Sequence, residues 1–221
     1  MCAIFGATDL TGFIRLYLCN KERGGFSFGC TVLTNENTIH TFKTKDTVEM
    51  LDLLKPFSDN SRYFLGHLQA PTSAERNVCE ENIHPFEYNN YLVAHNGVLT
   101  NFNELIDEFN FNDHYSKVDS SIIPRLIDHY SKLTDELDAI IKTFSKLNGT
   151  FSTWCINKQT KDIYLCRLSS TLFYNSCMFT SVKYNRTEVE VPEMTVLKLD
   201  INNNTILPVG KFTGNSHFFR L

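Results

Sequence analysis

A layered α+β domain is what the sequence predicts, and three observations predict it. Short runs rich in β-branched and aromatic residues, bounded by turn residues, fill the first and last thirds of the chain. Segments with the apolar spacing of helices occupy the middle. Strands, then helices, then strands argue for segregated layers rather than a regular βαβ alternation. With 221 residues, 42% apolar and 21% charged, the chain suits one well-buried core and is short for two ordinary domains. Residues 1–221 are therefore expected to form a single unit, with no linker or repeat dividing it.

The elements follow in order. CAIFGAT, FIRLYLC, FSFGCTVL and NTIHTFK read as strands, separated by the turn signals DLTG, KERGG and TNEN. TVEMLDLLKPF has helical spacing and is expected to stop at Pro56. RYFLGHLQA and YLVAHNGV return to strand. Asn101 with Glu104 has the form of a capping box, ahead of the stripe Leu105, Ile106 and Phe109. VDSSIIPRLIDHYSKL reads as a second helix, begun by Asp119 or Ser120 with Pro124 in the first turn. TDELDAIIKTFSKL reads as a third, capped by Thr134. TFSTWCIN, DIYLCRL, TLFYNS, MFTSV, TVLKLDI and TILPVG complete the strands.

Composition excludes several classes. The net charge is −4 and no basic run stands out, since KTFSK reads as one solvated helix face, so nucleic-acid binding is not expected. No apolar stretch approaches the roughly 18–20 residues that span a bilayer, and the start lacks a secretory pattern. The seven cysteines are scattered without a C-x-x-C pair, which suits a reducing cytosol better than a disulfide framework or a zinc ribbon. No phosphate-binding loop or metal-ligand spacing is visible, and no cofactor is expected.

Chemistry enters at the opening, MCAIFG. Removal of Met1 would give Cys2 a free α-amine beside its own thiol. With ordinary pKa values near 7.7–8.0 and 8.5, the pair could pass a proton near neutral pH. Read alone, Cys2 is equally a buried strand cysteine. AHNGVLTN offers Asn96 as a side-chain amide donor and Gly97 as an unobstructed backbone N–H, the parts of an oxyanion hole. Its plain reading is a type I′ turn, weakened by the helical segment that follows. GHLQAPTS leaves a strand for a polar loop that could wrap a ligand or simply lie on the surface.

These motifs, in order, resemble the class II glutamine amidotransferase domain of the N-terminal-nucleophile hydrolases, as in glucosamine-6-phosphate synthase. CAIFG is similar to the family's CGI-x-G, ERGGFSFG to its Arg-Gly loop, and GHLQAPTS to G-H-x-R-x-x-T. HPF, AHNGVLTNFNEL, KVDSSIIPRLI, LNGTFSTWCIN, IYLCRLSSTLFY and MFTSV follow in the family's sequence, over residues 2–183. Residues 184–221 would add terminal strands and a tail. The resemblance implies a four-layer αββα sandwich of two mainly antiparallel sheets. It implies Cys2 as nucleophile, Asn96 and Gly97 at the oxyanion, Asp119 on the substrate's α-ammonium, and Thr72 and Arg23 near the substrate. It implies L-glutamine as substrate and a separate acceptor or synthetase protein to take the ammonia. A homo-oligomer is left open.

One position departs from the family. The arginine that grips the α-carboxylate of glutamine is here Gln69. A neutral amide replaces charge-assisted bonds of about 1.5–3 kcal/mol each, a loss of roughly ten- to hundredfold in binding. Arg76 or Arg23 could supply the cation. The alternatives are an amidase of γ-glutamyl or other small amides, and an impaired pseudo-amidotransferase kept as a binding module. His67 and His95 read as packing groups, because an α-amine base needs no imidazole.

Overall fold

In the computed structural model, residues 1–46, 49–70, 80–114 and 116–216 are described. The strands are β1 (Ala3–Ala7), β2 (Ser27–Thr34), β3 (Ile39–Thr44), β4 (Ser61–Gln69), β5 (Phe86–Tyr88), β6 (Tyr91–Leu99) and β7 (Gly149–Asn157). They continue with β8 (Ile163–Leu168), β9 (Phe173–Asn175), β10 (Met178–Thr180), β11 (Val189–Glu190), β12 (Thr195–Asp200) and β13 (Thr205–Lys211). The helices are α1 (Leu10–Asn20), α2 (Met50–Leu54), α3 (Phe102–Glu108), α4 (Ile122–Ser131) and α5 (Glu136–Lys146).

Two sheets result, ordered β11-β9-β10-β1-β4-β2-β3 and β13-β12-β8-β7-β6-β5. Every strand pairing within them is antiparallel. Alternation along the strands sends one set of side chains between the sheets and the other outward. Ile4, Tyr63 and Leu65 of the first sheet meet Leu92, Ala94 and Trp154 of the second in the inter-sheet core. Phe5, Phe28 and Phe64 turn outward to Phe13 and Leu16 of α1 and to Met50 of α2. Val93, Phe151 and Cys155 turn the other way, to Ile123, Ile127, Ile140 and Phe144 of α4 and α5. The expected αββα sandwich is thus present. Polar ties cross its middle: Trp154 Nε1 donates to the Gly66 carbonyl at 3.0 Å.

Four sequence expectations need correction. FIRLYLC belongs to helix α1 rather than to a strand. Asp9 caps it by accepting from the Gly12 N–H at 2.7 Å, and Phe13, Leu16 and Asn20 form its buried stripe. The β-rich composition of the segment misled, and burial on one face decided. Helix α2 ends at Leu54, and Pro56 lies within a 3-10 turn, Lys55–Phe57, that prolongs it. Asn101 precedes α3 without a side-chain cap bond. Its amide instead donates to the Lys146 carbonyl at 2.8 Å and accepts from the Asn148 N–H at 3.0 Å, tying the start of α3 to the connection between α5 and β7. Helix α5 is capped one residue later than expected, by Asp135 accepting from Asp138 N–H at 2.9 Å.

Candidate active site

The register of β1 on β4 pairs Ala3 with Leu68, so Cys2 stands beside Gln69 at the end of the sheet. On the far side of Gln69 lies Ser27 of β2, its partner across the ladder. Ser27 Oγ donates to Gln69 Oε1 at 3.0 Å, and both residues are buried. Facing them, the second sheet brings Gly97 near the end of β6. Its φ of +154° belongs to glycine, and a Cβ there would meet the Thr150 carbonyl oxygen at 1.9 Å. Asn96 and Gly97 therefore sit inside a strand, and the type I′ turn is excluded.

Cys2, Gln69, His84, His95, Gly97, Lys117, Val118, Asp119 and Ser120 are among the residues that line one cavity of about 260 Å³. Asp119 opens a 3-10 turn, Asp119–Ser121, ahead of α4. Its Oδ2 accepts from the Leu99 N–H at 2.7 Å, and its Oδ1 from the Ser120 N–H at 2.9 Å. A carboxylate has about four acceptor positions, so capacity for a ligand donor remains.

Arg23 approaches from the loop between α1 and β2. Its guanidinium donates to Thr171 Oγ1 and to the Ser181 carbonyl, both at 3.1 Å. Partial burial lowers its pKa, and its electrostatic interaction with neighbouring Cys2 pushes it back up. The loop packs closely because Gly24 has no Cβ: one would lie 2.8 Å from the Gln69 carbonyl carbon. Ser181, unnoticed in the sequence, steadies the start of β1 by donating its backbone N–H to Ile4 O at 2.9 Å while its Oγ accepts from Ile4 N–H at 3.0 Å. Met1 is 81% exposed, and its α-ammonium donates to the Arg23 carbonyl at 3.2 Å.

Asn96 lies on the inter-sheet face, in alternation with Leu92 and Ala94. Its amide donates to Ser152 Oγ and Ser170 Oγ, both at 3.3 Å. It is not among the residues that line the cavity. His67 Nε2 donates to the His95 carbonyl at 3.1 Å, and its ring stacks on His84 with centroids 3.8 Å apart. Burial drives the His67 pKa down to about 3, so the ring is neutral and structural. His95 is also lowered by burial, with Asp119 pulling the other way; its Nδ1 meets Ser120 Oγ at 2.8 Å. Thr72 and Arg76 lie outside the described residues. Ser27 and Lys117 were missed. An isolated serine or lysine carries no pattern, and both matter only through strand register and loop path.

Comparison with known proteins adds independent support. Residues 74–176 match the family model of the glutamine amidotransferase domain. Over that segment the chain is similar to the glutamine amidotransferase domain family. Among curated relatives, 7-cyano-7-deazaguanine synthase 2 of Sulfurisphaera tokodaii is 28% identical over 60% of this chain and 29% of its own length. Glutamine–fructose-6-phosphate aminotransferase (isomerizing) of Staphylococcus aureus is 30% identical over 78% of this chain and 30% of its own. The chain thus spans under a third of these relatives. Among solved structures, glutamine phosphoribosylpyrophosphate amidotransferase from B. subtilis superposes with a TM-score of 0.75 at 17% identity, covering 96% of this chain and 49% of that one. A glutamine aminotransferase class-II domain protein from Silicibacter pomeroyi gives 0.58 at 11% identity, covering 96% and 99%. Among the described residues, no helix is long and apolar enough to cross a membrane.

Proposed function

We propose that residues 1–221 form one glutaminase domain that hydrolyses the side-chain amide of L-glutamine through Cys2 and passes the ammonia to a separate acceptor protein. The observation that carries this reading is the convergence of Cys2, Gln69, Gly97 and Asp119, from four distant segments, on one cavity. Processing of exposed Met1 frees the Cys2 amine, which takes the thiol proton. The thiolate attacks the amide carbon, and Asn96 with the Gly97 N–H stabilises the oxyanion. The Asn96 contacts at 3.3 Å are long, so exchanging one for the oxyanion costs little. As the C–N bond breaks, the α-amine returns its proton to the departing ammonia. Water then hydrolyses the γ-glutamyl thioester, releasing glutamate.

Arg23 supports the thiolate by charge, and Asp119 receives the substrate α-ammonium. The relatives' names, a synthase and an aminotransferase, favour transfer of the ammonia over its waste. The test is release of glutamate and ammonia in equal amounts from L-glutamine by the mature protein, with Cys2→Ala inactive. Turnover unchanged in Cys2→Ala refutes the reading.

A further inference from the structure

We propose that Lys117 supplies the cationic contact to the substrate α-carboxylate that Gln69 lacks, so that Lys117 and Asp119 together read the zwitterionic head of an α-amino acid. The inference rests on the glutaminase reading above. Among the described residues that line the Cys2 cavity, Lys117 is the only lysine or arginine. It makes no ion pair with any described residue. Arg23 is committed to Thr171 and Ser181. Arg125, in the helix that follows, is paired with Asp113 and held between the rings of Tyr88 and Phe111.

Backbone geometry places the pair. Val118 is extended, at φ −89° and ψ 120°, and is 5% exposed in the core. Lys117 and Asp119, one residue apart, both line the cavity, as does Val118 between them. One anion and one cation, with Cα atoms about 7 Å apart at this rise, suit a head group whose ammonium and carboxylate share one carbon. The lysine stem supplies reach and three donors. Gln69 adds a neutral contact: Ser27 occupies its Oε1, and among the described residues nothing is seen to accept from its amide N–H groups. Lys117 is thus a specificity-determining residue of this chain, in a role that an arginine fork fills elsewhere.

The experiment compares ammonia release from L-glutamine and from its α-amide, in which the carboxylate is neutralised, by wild type, Lys117→Met and Lys117→Arg. Lys117→Met is expected to raise KM for L-glutamine ten- to hundredfold with kcat within about threefold. KM for the α-amide should stay within about twofold, and Lys117→Arg should retain the wild-type preference. Equal changes for the two substrates, or none, with wild type active on glutamine, overturn this inference and leave the glutaminase reading standing. A wild type inactive on both, with and without Met1, overturns both.

Discussion

Ser27 Oγ donates a 3.0 Å hydrogen bond to Gln69 Oε1 in a buried corner beside Cys2. That bond orients the amide, with its acceptor toward β2. Gln69 is thus built into the wall of the cavity.

If Lys117 carries the carboxylate, Gln69→Arg alone should change KM for glutamine by less than about threefold. In the Lys117→Met background the same change should lower KM about tenfold, since one charge-assisted bond is restored. Steady-state kinetics on the four proteins check this coupling. Independent, equal effects of Gln69→Arg in both backgrounds would contradict it.

Asp119 joins recognition to architecture. Asp119→Asn should raise KM for glutamine at least tenfold, because an amide cannot balance an ammonium. It should also cost about 0.5–2 kcal/mol, since an acceptor for the Leu99 and Ser120 N–H groups is weakened, or about 1–8 °C in Tm for a chain of this size. Kinetics and thermal denaturation of the same sample separate the two losses.

Cys2, Gly97 and Asp119, which line the candidate cavity, sit in motifs the sequence analysis singled out, whereas Asn96, singled out with them, turns its amide to Ser152 and Ser170. Strand positions were read well, because buried β segments are continuous apolar runs. Helix α1 was not, since LTGFIRLYLCN carries strand-like composition and becomes helical through the Asp9 cap and burial of Phe13 and Leu16. Asn101 looked like a cap and is a tie to Lys146 and Asn148, forty-odd residues away, which no local pattern can reveal. Ser27 and Lys117 were invisible for the same reason.

Gly97→Ala should be severely destabilising and inactive. At φ +154° its Cβ would lie 1.9 Å from the Thr150 oxygen, within the β6–β7 pairing. A loss of about 2 kcal/mol or more, read from the urea midpoint, is expected. A Gly97→Ala protein with wild-type stability would show that β6 has room the structure denies.

Buried His67 gives stability a pH dependence. Its pKa falls from 6.5 to about 3 on folding. Between those values the unfolded chain binds the extra proton, so stability is complete above pH 6.5 and is lost as pH falls. The slope is at most about 1.4 kcal/mol per pH unit for this group. His95, also lowered, adds in the same direction. Thermal denaturation from pH 7.5 to 5 should show a falling Tm, with a shallower fall in His67→Gln.

The central claim is that Cys2, freed of Met1, is a nucleophile in a glutamine site. Intact mass of protein made with active methionine aminopeptidase, before and after exposure to 6-diazo-5-oxo-L-norleucine, tests it most directly. The account predicts loss of Met1 and a single adduct mapping to Cys2, suppressed by excess L-glutamine. A retained Met1, or a mature Cys2 that stays unlabelled while other cysteines react, would contradict it.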